Sequence, residues 1–125
     1  MSDVEFLDLE DLVEMIRVLG VGPVRDVGLL DSAVNRPRSS AFGEDAYPTV
    51  SLKAAALLHS LTKNHALIDG NKRLAWLGTM VFCEVNGAAP RVSDDDAFGL
   101  VWEIASSHVD VASVAERLHL DVTRK

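Results

Sequence analysis

Apolar residues recur at three- and four-residue spacing in successive stretches of the chain, the signature of helices that each bury one face. Leu9, Leu12, Val13, Ile16 and Leu19 mark a first helix, opened by Asp8 with Asp11 three residues later and stopped at Gly20. Residues 4–7 read as extended. Gly22-Pro23 lies in a connection, residues 20–28, to a short second helix over residues 29–35 that Pro37 ends. A third helix, residues 51–63, carries Ala54, Leu57, Leu58 and Leu61 on one face, and its run Ala54-Ala55-Ala56-Leu57-Leu58 reads as buried. The fourth, residues 71–85, has no charge between residues 74 and 83 and is apolar nearly all round, the pattern of a central helix wrapped by others. Asn86-Gly87 closes it. Ser93 with Asp94-Asp95-Asp96 begins a fifth helix carrying Phe98, Val101, Trp102 and Ala105, and Asp110 begins a sixth through Val111, Val114, Ala115 and Leu118. The three aspartates read as acids that complement a helix N-terminus rather than as metal ligands. His59, His108 and His119 read as structural or surface residues, Lys53 and Lys63 as solvated, and the last few residues as frayed.

The expected architecture is all-α, a single compact domain over residues 1–125 with about six helices around a central apolar one. At 125 residues and 48% hydrophobic content the chain can fill one core but not two. A net charge of −7 and a pI near 4.9 speak against direct nucleic-acid binding, which needs a basic face, and so against a helix-turn-helix reading of the short helices. The lone Cys83 permits neither an intrachain disulfide nor a cysteine metal site, so a reducing cytoplasm is the simplest compartment. The acidic start, residues 1–5, lacks the basic and apolar regions of a signal peptide, and the longest uncharged run is about half a membrane span. No membrane is expected as a partner.

Most of the chemistry is concentrated between helices three and four, in His65-Ala66-Leu67-Ile68-Asp69-Gly70-Asn71-Lys72-Arg73. Lys72 and Arg73 fall in the first turn of the fourth helix, where free N–H groups and the helix dipole already concentrate positive charge. Cations there are disfavoured by roughly 0.3–1 kcal/mol each when exposed. Free amides plus two cations make an anion site, with phosphate its usual occupant. Gly70 permits a left-handed or close-approach backbone, Asp69 can hold a divalent cation bridging phosphate oxygens, and His65 is placed as a general base. From the residues alone a second reading stands beside this one: an Asp-Gly-Asn turn, a structural histidine and a solvated Lys-Arg pair.

The stretch resembles the Fic/Doc family motif, roughly H-x-F-x-D/N-G/A-N-G/K-R, and Lys72 is similar to the residue of the death-on-curing (Doc) branch. The resemblance extends over Gly28-Leu29-Leu30-Asp31-Ser32-Ala33 with Arg36-Pro37, over Ala46-Tyr47-Pro48, over residues 53–76 and to Asn86-Gly87. Two positions depart from it. Ala66 stands where the family often has proline, and Leu67 where it usually has phenylalanine, although Leu67 can still anchor the loop in the core.

The resemblance implies a Fic/Doc-like fold and an ATP- and Mg2+-dependent enzyme that modifies a hydroxyl of a partner protein. In that reading His65 accepts the hydroxyl proton, Asp69 holds magnesium, and Gly70, Asn71, Lys72 and Arg73 bind the phosphates. Residues 36–48 become a flap, often a hairpin, with Phe42 and Tyr47 as candidates for docking the target. The Doc branch resembles a protein kinase that acts on a translation elongation factor of the Tu type and arrests translation, as the toxin of a toxin–antitoxin pair. The alternatives are AMP transfer, the commoner Fic activity, and a catalytically silent, antitoxin-bound module. No match to the inhibitory S/T-x-x-x-E-G/N motif of many Fic proteins occurs, so inhibition is expected in trans from a cognate antitoxin.

Overall fold

The computed structural model describes residues 3–122. Its first helix, α1 (Leu9–Leu19), is opened by a reciprocal capping box between Asp8 and Asp11 and closed by Gly20 in the left-handed conformation. Helix α2 (Val27–Asn35) starts two residues before the apolar periodicity does, because the Asp26 side chain accepts from the Leu29 N–H and makes Val27 the first helical residue. Pro37 does not simply stop it; the chain tightens into a 3-10 turn, Arg36–Arg38, that buries the proline. Thr49, Ser93 and Asp110 cap α3 (Val50–Asn64), α5 (Asp94–Ser106) and α6 (Val111–Leu118), while α4 spans Asn71–Val85 as the pattern indicates. The three aspartates occupy the first turn of α5, and His108 and His119 are exposed. Among the described residues no helix is long and apolar enough to cross a membrane.

The all-α reading holds, with one change in which helix is central. From Ala54 to Leu58 every residue of α3 is essentially inaccessible, and α3 packs on α2, α4, α5, α6 and the 3-10 turn. Its alanines let neighbours approach from all sides, and Gly78 of α4 lies so close that an added Cβ would meet Leu61 at 3.1 Å. Helix α4 buries Leu74, Ala75, Gly78, Thr79, Phe82 and Cys83 but leaves Trp76, Leu77 and Met80 half-covered. Burial pushes the Cys83 thiol up to about 12, which keeps it protonated.

Two small antiparallel ribbons complete the chain. The first joins β1 (Ser40–Ala41) to β2 (Glu44–Asp45), and the second pairs β3 (Ala88–Pro90) with β4 (Leu120–Val122), Ala88 opposite Val122. Pairing therefore holds residues 120–122, where fraying was expected; residues 123–125 lie outside the described residues. Residues 4–7 form no ladder. Glu5 instead exchanges hydrogen bonds with the Asn86 side chain, its N–H donating to Oδ1 at 2.8 Å and its carbonyl accepting from Nδ2 at 2.9 Å.

The β1–β2 hairpin is fastened to α3 by two cations. Arg36 donates through Nε to the Tyr47 hydroxyl (2.9 Å) and through Nη1 to Ser60 Oγ (2.9 Å) and His59 Nδ1 (3.1 Å), with its guanidinium over the Tyr47 ring. Burial and the neighbouring Arg36 charge hold His59 below the usual histidine range, so its ring stays neutral and Nδ1 can accept. Lys53 is not solvated: it is 3% exposed, and its ammonium reaches Asp45 Oδ2 at 3.1 Å and the Tyr47 carbonyl. Periodicity cannot see this, because the partners come from a hairpin with no apolar pattern. Lys63 is half-buried and donates to the Ser107 carbonyl at 2.9 Å.

Removing one partner of an ion pair is costly when the other charge is left buried, but the Asp45 carboxylate is 61% exposed and keeps its water when Lys53 is replaced. Lys53→Met should therefore keep the melting temperature within a few degrees yet unfasten the hairpin. Losing charge-assisted hydrogen bonds of about 1.5–3 kcal/mol should speed amide exchange across residues 40–46 roughly tenfold or more. Unchanged exchange there, read by mass spectrometry, would show that Lys53 does not hold the hairpin.

Candidate active site

The α3–α4 junction is a loop whose backbone groups are satisfied by a distant segment. Helix α3 ends at His65, which turns left-handed (φ 51°, ψ 50°) and is exposed. Leu67 then bridges Val24 in antiparallel fashion. The Ala66 carbonyl accepts from the N–H of Arg25 (2.7 Å) and of Asp26 (3.1 Å), Ile68 N–H donates to the Pro23 carbonyl (3.0 Å), and Gly22 N–H donates to the Asp69 carbonyl (2.9 Å). Arg25 adds its guanidinium, Nε lying 3.1 Å from the His65 carbonyl oxygen and Nη2 contacting the same atom. The residues around Gly22-Pro23, read as a plain connection, are thus the template for the loop. A lone arginine in such a segment carries no periodicity to reveal its role.

Two further constraints fix the entry into α4. Leu67 is 2% exposed, so it fills the core position despite departing from the usual phenylalanine. The Asn71 amide clasps that residue from both sides, Oδ1 accepting from the Leu67 N–H and Nδ2 donating to its carbonyl, each at 2.9 Å. Asn71 can therefore serve an anion through its backbone N–H, because its side chain is engaged. Gly70 (φ 95°, ψ 14°) passes so close to Val21 that an added Cβ would lie 2.4 Å from the Val21 Cβ. It also leaves α4 without a side-chain cap, and the leading amides of Asn71, Lys72 and Arg73 have no intrahelical acceptor.

His65, Ile68, Asp69 and residues 70–73 line one open cleft of about 350 Å³. The structure brings together every residue that the sequence assigned to proton transfer, metal and phosphate. Phe42 and Tyr47 lie elsewhere: Phe42 is fully exposed at the tip of the β1–β2 hairpin (φ 55°), and Tyr47 anchors that hairpin to Arg36. Within the cleft the cations are loosely held. Arg73 Nη2 is 3.8 Å from Asp69 Oδ2, an exposed pair of little worth. Lys72 rests its ammonium 4.3 Å from the centroid of the Trp102 ring. An exposed cation–π contact contributes about 0.5–1 kcal/mol, against about 1.5–3 kcal/mol for a hydrogen bond to a charged group, so an anionic ligand outcompetes the ring. Among the described residues no three His, Cys, Asp or Glu side chains cluster as metal ligands. A single exposed carboxylate at Asp69 suits a magnesium ion that arrives with phosphate oxygens and waters, rather than one held by protein alone.

Gly70→Ala should cost about 1–3 kcal/mol from its positive φ alone, with a further loss from the overlap with Val21. Adding Val21→Ala should recover the overlap and not the backbone strain. Denaturant melts of the single and double variants check this, and full recovery in the double variant would show that φ costs nothing here.

A family model described as the Fic/DOC family matches residues 5–83. "Toxin Doc" of Mycolicibacterium smegmatis is 47% identical over 118 residues, an alignment that covers 91% of each chain. The matched residues run from the N-terminal strap through the template segment, the cleft loop and most of α4, and on these grounds the chain belongs to the Fic/DOC family.

Proposed function

We propose that this protein is the toxin of a toxin–antitoxin pair and a transferase that uses ATP with Mg2+ to modify a hydroxyl of a protein target, with γ-phosphoryl transfer as the leading chemistry. The observation that carries the reading is the convergence of His65, Asp69, the leading amides of α4, Lys72 and Arg73 on one cleft. The name of the relative from Mycolicibacterium smegmatis supports the toxin role.

In this reading His65 accepts the proton of the attacking hydroxyl, and its ring is offered to solvent because the left-handed turn lifts it off α3. Asn71 through its N–H, Lys72 and Arg73 neutralise charge on the phosphates, and Asp69 would hold the magnesium, which screens the phosphate oxygens when bound. Most of the acceleration comes from position and fixed charge. A translation elongation factor is the target that the Doc-like Lys72 suggests. Phe42, bare at the hairpin tip, is the candidate contact with that target, while Tyr47 supports the hairpin from below. Inhibition is assigned to an antitoxin that docks at the cleft in trans.

One observation favours the second reading, AMP transfer. A lysine stem that filled the space above the helix start would keep the α-phosphate from His65, but with its ammonium drawn onto Trp102, Lys72 leaves that space open. The kinase reading requires a bound phosphate to draw Lys72 back, which the energies given above allow.

ATP labelled on the γ- or the α-phosphate, incubated with enzyme and cell extract, separates the readings. Label is expected to enter protein from the γ-position. Entry from the α-position alone would overturn phosphoryl transfer in favour of AMP transfer, and no entry from either would leave a silent module.

His65→Ala should lower transfer by about 10²–10⁴-fold and abolish growth arrest on expression, with a melting temperature close to that of the parent. A variant that is still active would sink the general-base assignment. Phe42→Ala should weaken modification of the protein target while ATP affinity stays unchanged; parallel losses would place Phe42 in the nucleotide site or the fold.

A further inference from the structure

Three cations belong to the neighbourhood of His65, and two of them, Lys72 and Arg73, line its cleft. Arg25 does not. It is an exposed residue of the connection before α2, and its guanidinium is turned onto a single atom: Nε lies 3.1 Å from the His65 carbonyl oxygen, and Nη2 contacts the same oxygen. Among the described residues it pairs with no carboxylate. An exposed arginine gives up many rotamers to hold one geometry, and this one gives them up for a carbonyl 40 positions away.

That carbonyl governs the histidine. His65 leaves α3 through the left-handed region (φ 51°, ψ 50°), which a residue with a Cβ seldom occupies. The direction of its carbonyl is its ψ, so two donors on the one oxygen restrain that rotation. The chain is also fixed on either side. Asn64 Nδ2 donates to the Leu29 carbonyl at 3.0 Å, and the Ala66 carbonyl accepts from the backbone N–H groups of Arg25 and Asp26. With both flanks fixed, a change of ψ at His65 must be matched by a change of φ, and the Cα–Cβ bond turns with it. The aim of the imidazole therefore depends on the one carbonyl that Arg25 holds.

We propose that Arg25 is a positioning residue for the transfer reaction: by holding the His65 carbonyl it keeps the left-handed turn that aims the imidazole at the acceptor hydroxyl. The inference rests on the reading of His65 as the general base. Because Arg25 lies outside the cleft lining, it acts on the rate of transfer and not on nucleotide binding. Its exposure means that replacing it leaves the core intact, which thermal melts verify.

Transfer of labelled phosphate from ATP into protein of a cell extract, measured for the parent, Arg25→Ala, Arg25→Lys, His65→Ala and the double variant Arg25→Ala/His65→Ala, tests the inference. Arg25→Ala should lower the maximal rate about 10- to 100-fold, the scale of a small misplacement of a reacting group, with the half-saturating ATP concentration unchanged. Arg25→Lys, which offers a point charge in place of two fixed donors, should recover part of the rate. In the His65→Ala background the same Arg25→Ala change should cost less than about twofold, because a residue that acts through the histidine has nothing left to position. The carbon chemical shifts of His65, read by NMR, should leave the left-handed range in Arg25→Ala. Parent-like transfer by Arg25→Ala, or His65 shifts that do not move, would overturn the inference. A raised ATP requirement at unchanged maximal rate would make Arg25 a phosphate ligand instead, and equal losses in the two backgrounds would make it a contact with the target or a fastener of the fold. A His65→Ala variant as active as the parent, or a parent that transfers no label, refutes the general base itself and the inference with it.

Discussion

The side chain of Leu67 is sunk in the core while its backbone is clasped on both sides by Asn71, and the functional groups around it take their positions from that anchorage. A loop between two buried helices must satisfy its own N–H and C=O groups or leave them orphaned. Here the backbone of residues 22–26 supplies partners to Ala66, Ile68 and Asp69. Burying a leucine side chain contributes about 1.5–3 kcal/mol, the same order as the cost of the left-handed turn at His65. The histidine is consequently displayed by a rigid support. The same clasp starts α4 at Asn71, which decides where its leading amides stand.

The sites of helix formation were legible because they are written locally. Asp8 with Asp11, Ser93 and Asp110 cap helices where their side chains can reach the first-turn amides, and α4 runs over the residues its apolar pattern indicates. The residue types of the cleft were legible for the same reason, since Asp69 to Arg73 are contiguous in the chain. What the sequence concealed is carried by pairs far apart along it. Arg25 reaches His65 across 40 residues, and Lys53 is buried by a hairpin that has no hydrophobic period. The run from Ala54 to Leu58 reads as buried and is, but burial alone does not rank helices: the short side chains allow the closest packing and put α3, rather than the more apolar α4, at the centre.

Charge acts in the cleft at short range only. The chain carries a net −7, which opposes an anion approaching from afar, but at physiological ionic strength such fields decay over about 8 Å. Inside that distance the α4 amides and two cations dominate. Because, among the described residues, Lys72 and Arg73 are held only by a ring face and an exposed carboxylate, the cleft can recruit them without breaking a strong bond.

The hydrogen bonds between Glu5 and Asn86 join residues 81 positions apart, across the far end of α4 from the cleft. Together with the pairing of residues 22–26 to the loop, they make the cleft a product of chain closure. While the polypeptide is still being synthesised, residues 22–26 have no loop to template until Leu67 has emerged, and Leu67 has no clasp until Asn71 follows. The strap at Glu5 waits longer, for Asn86. A truncated product that stops short of α4 therefore carries the histidine without the geometry around it.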